Sequence, residues 1–149
     1  MGRVELHRGN VDRATQTAAL RWGYGLKREL VAEAKDRCPV DEGTLRASID
    51  GEVVLHDKTA KVVVGSPLPY AEYFHTGTGI YGPKATPIVP VTKKALKFQW
   101  EPTNGAPKTM SKDKRGWHFA KSVKGMRPNP FLADALAAVM GRLSSRRNP

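Results

Sequence analysis

Between Asn10 and Arg37, apolar residues return every third or fourth position: Val11, Ala14, Ala18, Trp22, Leu26, Leu30 and Ala34. That period lays one apolar stripe along an α-helix, and Arg21, Arg28, Glu29, Glu33 and Asp36 fall on its other faces. Asn10 reads as the N-cap, with Asp12 in the first turn at the positive end of the dipole. Pro39 stops the helix at Cys38. Gly23 and Gly25 each weaken the middle by about 1 kcal/mol against alanine; they admit either close packing or a bend. In Pro39–Ile49, Asp41 can start a short turn, after which Leu45 and Ile49 point the same way.

The period then changes to two. Residues 52–56 and 60–64 are rich in β-branched side chains, and Asp57-Lys58-Thr59 between them is of hairpin length. Ala60, Val62 and Val64 share one face, Lys61 and Val63 the other. Tyr70, Tyr73 and Phe74 stand at i, i+3 and i+4, so a short helix puts three rings on one side. Pro67 and Pro69 lead into it, and Gly77 is available as a left-handed C-cap. Such a helix is too short to hold by itself, which predicts that it docks with its rings inward as a core plug. From Thr78 to Gly116 the chain is loop-like, broken by five prolines. Residues 95–100 alternate as a strand, with Leu96, Phe98 and Trp100 on one face. Residues 117–123 are its expected partner, with Trp117, Phe119 and Val123 inward. The link from Glu101 to Gly116 is too long for a tight hairpin and is expected to protrude. A final helix over about 130–143 has Asn129 as N-cap, Pro130 at N1 and Leu132, Leu136, Val139 and Leu143 as its stripe.

These elements predict an α+β fold in one 149-residue domain, with a loop-rich insert at about 78–116. A small mixed or antiparallel sheet of four strands is packed by the long N-terminal helix and the C-terminal helix. The expected core is Leu26, Leu30, Leu45, Ile49, Val62, Val64, Phe74, Phe98, Leu132 and Leu136. No stretch is apolar enough to span a membrane or to serve as a signal peptide, and cytoplasmic synthesis is expected. The single cysteine, Cys38, excludes an internal disulfide.

Charge changes the picture. Over residues 1–81, 11 Lys/Arg balance 11 Asp/Glu; over 82–149, 14 Lys/Arg face only Glu101, Asp113 and Asp134. The whole excess of +11 lies in the second half. That asymmetry points to a polyanion, an acidic partner or an acidic lumen wall, against the plainer reading of a solvated basic face. Catalytic chemistry is not legible. Gly77-Thr-Gly79-Ile-Tyr-Gly82 spells a dinucleotide fingerprint, but a helix precedes it and Pro83, Pro87 and Pro90 forbid one after it. His7, His56, His75 and His118 are scattered, with no metal-ligand spacing. Cys38, at the negative end of a helix, is a poor nucleophile. The expectation is no enzyme, no cofactor and no metal.

Four segments in order carry a resemblance: Cys-Pro-Val-Asp-Glu-Gly-Thr-Leu-Arg-Ala-Ser-Ile (38–49), Val-Val-Val-Gly-Ser (62–66), Tyr-Ala-Glu-Tyr-Phe-His-Thr-Gly-Thr (70–78) and Asn-Pro-Phe-Leu-Ala-Asp-Ala-Leu (129–136). Together they resemble the neck, tail-completion or minor tail proteins of long-tailed bacteriophages. Glu42 stands where that family commonly has threonine, and His75 where it has glutamate. The resemblance implies a tail-terminator-like structural virion protein without enzymatic activity. It implies a homo-oligomeric ring, usually a hexamer, between head-closing proteins and the tail tube or tail terminator, with genomic DNA passing through. Virion localisation in the neck or upper tail follows from it. The candidate subunit or partner interface is His75, Thr76, Lys112, Lys114 and Arg115; the candidate DNA-channel residues are Lys108, Lys121, Lys124 and Arg127. The alternative is a stand-alone basic nucleic-acid-binding protein, although the cations fall on a loop and a tail rather than on a recognition helix.

Overall fold

The structure, a computed structural model, describes residues 8–40, 43–100 and 116–147. The elements in order are α1 (Arg8–Arg37), α2 (Thr44–Ser48), β1 (Asp50–His56), β2 (Thr59–Gly65), α3 (Ala71–Thr76), β3 (Leu96–Trp100), β4 (Gly116–Ala120) and α4 (Phe131–Arg147). The α+β class is as the sequence predicts. The expected four-stranded sheet is instead two antiparallel pairs, β1–β2 and β3–β4, because each strand finds its partner in its nearest neighbour along the chain. The chain divides into two compact units, residues 1–68 with 131–149, and residues 69–130.

In the first unit α1 packs on β1, β2 and α4. The helix ends where Pro39 requires, with the Cys38 N–H bonded to the Ala34 carbonyl at 2.9 Å. Its start differs from expectation. Asn10 lies inside the helix and not at its cap, and Asp12 pairs with Lys58 at the hairpin turn. The buried face also differs. It holds Gly23, Leu30 and Ala34, whereas Val11, Ala14, Ala18 and Trp22 are exposed, Trp22 at 53 %. The stripe drawn through Trp22 fails because Gly23 is what meets the hairpin. A Cβ there would stand 2.8 Å from Val53 Cγ1 and 3.2 Å from Ala60 Cβ, so only a hydrogen lets helix and sheet approach this closely.

The hairpin forms where predicted, with a turn one residue shorter than the expected Asp57-Lys58-Thr59 link because Thr59 already belongs to β2. His56 faces Thr59 across a two-residue turn, with Asp57 at φ 53°. Ala60, Val62 and Val64 turn inward while Lys61 and Val63 are exposed. Lys27 reaches Asp50 at 3.1 Å. Short α2 follows Gly43, at φ 81°, and buries Leu45 and Ile49 together, as their spacing requires. Asp41 and Glu42 lie outside the described residues. A chain of hydroxyls then joins two of the sequence motifs. Ser48 Oγ donates to the Leu45 carbonyl at 2.7 Å, so its contact with Ser66 Oγ at 2.7 Å must be donated by Ser66. Ser66 Oγ in turn accepts from the Leu68 N–H at 3.2 Å.

Helix α4 buries Phe131, Ala135 and Val139, one residue in every turn. Leu132 and Leu143 are half-buried, but Leu136 is 50 % exposed and leaves the expected core. The true stripe begins one residue earlier because Phe131, not Leu132, leads it. Glu33 of α1 holds the helix pair together. Its carboxylate accepts from Arg142 at 2.8 Å and from Arg37 Nε at 2.9 Å. The Arg142 hydrogen bond first, and Arg37 second, hold the Glu33 carboxyl below its ordinary range.

Candidate interaction surface

The second unit is built on the aromatic helix and the segment that returns to it. α3 begins after Tyr70 and ends at Gly77, whose N–H bonds the Tyr73 carbonyl at 3.0 Å. Gly77 has φ 80° and ψ 170°, an extended positive-φ conformation reserved for glycine and not the left-handed cap expected of it. The rings do not form a plug within the chain: Tyr70 is 38 % and Tyr73 57 % exposed, Phe74 is half-buried, and Ala71 is the residue that α3 buries. Tyr70 and Phe74 meet edge to face with centroids 6.2 Å apart.

What the sequence spells as Gly-Thr-Gly is a backbone clasp. The Thr78 and Ile80 N–H groups donate to the Met126 and Lys124 carbonyls at 2.9 and 2.8 Å, and the Met126 N–H returns to Thr78 Oγ1 at 2.9 Å. The Asn129 N–H donates to the Phe74 carbonyl, also at 2.9 Å. A Cβ on Gly79 would lie 2.1 Å from the Lys124 carbonyl oxygen, and one on Gly125 2.2 Å from that of Thr78. The glycines therefore admit a crossing main chain. One strap, residues 123–129, thus holds two motifs that stand about fifty positions apart in the sequence.

The hairpin β3–β4 completes this unit. Its register sets Lys97 opposite Phe119 and Gln99 opposite Trp117, while Leu96 faces Ala120 and Phe98 faces His118. Alternation therefore separates Trp117 and Phe119 from Leu96 and Phe98. Expected inward, they are 57 % and 67 % exposed. Val123 is not in the strand; it bridges to Ile88 through two hydrogen bonds of 2.9 and 3.0 Å. Lys97 Nζ sits 4.2 Å from the Trp117 ring centroid, and the Phe98 and His118 rings stack at 6.2 Å. Between hairpin and strap lies an open groove of about 930 Å³, lined by Ile88, Leu96, Phe98, Phe119, Val123, Met126, Lys97 and Lys124 among others.

Of the site residues read from the sequence, His75, Thr76, Lys121, Lys124 and Arg127 fall in this unit. Lys108, Lys112, Lys114 and Arg115 lie outside the described residues. Thr76 Oγ1 donates to the Glu72 carbonyl at 2.8 Å and borders a second depression, of about 490 Å³, with Tyr73 and Pro87. His75 is half-buried and engaged. Lys121, Lys124 and Arg127 are exposed, and the Arg127 guanidinium lies 5.5 Å from the Tyr81 ring centroid. The sequence reading missed the exposed Trp117–Phe119 pair and the groove beside it. Lys97 and Gln99 mark one side of β3 as outward, but only the register shows that Trp117 and Phe119 share it.

Among the described residues, no group of three or more His, Cys, Asp or Glu side chains could hold a metal ion, and no helix is long and apolar enough to cross a membrane. Burial pushes the Cys38 thiol up, with Arg46 opposing. The family model described as "Bacteriophage HK97-gp10, putative tail-component" matches residues 11–77, spanning α1 through α3 except the first residues of α1. That stretch contains three of the four motif segments up to Gly77, agrees with the resemblance to phage neck and tail-completion proteins, and supports a structural role in a phage tail. No curated protein and no solved structure matches the chain.

Proposed function

We propose that this chain is a structural subunit of a phage neck or upper tail, assembling into a homohexameric ring that completes the tail at the head–tail junction and lets DNA pass. The observation that carries the assembly is the exposure of large aromatic side chains. Trp22, Tyr73, Trp117 and Phe119 are each more than half open to solvent, which is surface that a chain working inside a larger particle covers with its neighbours. The match over residues 11–77 supplies the particle. The family-like motifs support the same reading in another way. Ser48, Ser66, Gly77 and Thr78 spend their polar groups and conformational freedom on the chain's own framework.

In this reading His75 and Thr76 lie at a subunit boundary. Lys112, Lys114 and Arg115 reach an adjoining ring, and Lys108, Lys121, Lys124 and Arg127 face the passing DNA. Native mass spectrometry of the purified chain, with electron microscopy of particles carrying a tagged copy, tests it. The expected results are a closed oligomer and density between head and tail. A monomer at all concentrations, absent from particles, would sink the proposal. The stand-alone nucleic-acid reading keeps one observation on its side, the exposed Lys121, Lys124 and Arg127. It requires the monomer to hold duplex DNA with a steep salt dependence.

A further inference from the structure

The groove beside β3–β4 has an apolar floor and a basic rim, and among the described residues of its unit the cations far outnumber the carboxylates. Among the described residues of this unit, Glu72 is the one acid, against Lys84, Lys93, Lys94, Lys97, Lys121, Lys124 and Arg127. Lys97 and Lys124 belong to the groove wall itself. We infer that this groove seats an acidic segment, studded with apolar side chains, of a different virion protein. The inference rests on the virion reading above, names the partner's chemistry, and gives Lys124 to that partner rather than to the DNA.

Three observations choose that occupant. The floor, formed by Ile88, Leu96, Phe98, Val123 and Met126, is of a kind that takes aliphatic or aromatic side chains. The surrounding cations select carboxylates, and they disfavour the second half of another copy of this chain, which holds the whole +11 excess and would meet them with like charge. Nucleic acid fits less well. The apolar floor offers a phosphate or a base edge no hydrogen bond.

Phe119 borders the groove and is 67 % exposed, so a photo-reactive benzophenone side chain can replace it without disturbing a core. The experiment places that full-length variant in assembled particles of its phage, irradiates them, and identifies the adduct by mass spectrometry. The expected adduct is a segment of another virion protein with more Asp and Glu than Lys and Arg and with interspersed apolar residues. Adding Lys97→Glu and Lys124→Glu should cut its yield at least fivefold, with thermal unfolding of the purified chain unchanged. Adducts to another copy of this chain, to DNA or to a segment that is not acidic would overturn the inference and leave the virion reading standing, as would no adduct at all from particles containing the variant. Particles that lack the chain altogether would overturn both.

Discussion

At the scale of single residues, two glycines two positions apart in α1 have opposite meanings. Gly23 touches the hairpin, and a methyl group there would press on Val53 at 2.8 Å. Gly25 has nothing within 4 Å of where its Cβ would be. Gly25→Ala should therefore stabilise the protein by up to about 1 kcal/mol, the helix-propensity difference. Gly23→Ala should destabilise it by roughly 1–3 kcal/mol through overpacking. Urea unfolding of the two variants measures both, and equal signs would show that the close approach of α1 to β1 and β2 is wrong. Cys38 carries a second prediction at this scale. It is 4 % exposed, and desolvation raises its thiol pKa more than Arg46 lowers it. An aromatic disulfide reagent should leave it unmodified in the native protein and react fully once denaturant is added. Fast native labelling would mean the α1 C-terminus opens readily.

At the scale of elements, the α1–α4 contact is the part of the first unit that mutation can grade. Leu30 and Val139 are buried in it at 8 % and 0 % exposure. Leu30→Ala should cost about 2–5 kcal/mol, and Val139→Ala somewhat less, because it removes fewer buried methyl groups. Leu136→Ala, half exposed, should cost no more than about 1 kcal/mol. Denaturant midpoints that ranked Leu136 above Leu30 would reverse the assigned face of α4. The same contact has a pH signature. Glu33 titrates below its ordinary 4.5 because Arg142, then Arg37, bonds its charged form. A carboxyl whose pKa is lowered by folding stabilises the fold fully above its unfolded value. That stabilisation fades as pH falls through the lowered folded value. Acid titration of the melting temperature should therefore fall less steeply below pH 4.5 in Glu33→Gln than in the parent, while the variant is the less stable at neutral pH. Parallel acid limbs would remove Glu33 from the account. The hairpin β3–β4 presents apolar side chains on both faces, and a two-stranded sheet is marginal by itself. That combination is what makes a partner for it physically reasonable.

At the scale of the whole molecule, charge is the property most open to test. Reversing Lys112, Lys114 and Arg115 to glutamate changes the net charge by six, from +11 to +5. If these residues dock an adjoining ring, particles carrying the reversal should accumulate heads and tails unjoined, with DNA packaging normal. If they line the channel, joined particles should form and eject abnormally. Both outcomes are read by electron microscopy and an ejection assay. Full infectivity would reduce the basic half to a solvated face.

The sequence by itself determined the elements whose signals are local. Pro39 stops α1, β-branched runs of period two build β1 and β2, and Leu45 and Ile49 share a side because a short helix puts i and i+4 together. The motifs at 38–49, 62–66, 70–78 and 129–136 also sufficed to suggest a phage tail protein, since the ordered set is more specific than any one of them. The tertiary structure decided which side of each element is inside. Periodicity alone drew the α1 stripe through Trp22, but the face is set by contact, and a glycine makes closer contact than an indole. The strap across Gly77-Thr78-Gly79 is a pairing of backbone groups remote in sequence, so no local pattern announces it. The register of β3 with β4 depends on closing a long connection, which side-chain alternation cannot fix. A slip of one residue exchanges the two faces, and that is why Trp117 and Phe119, read as core, stand outside.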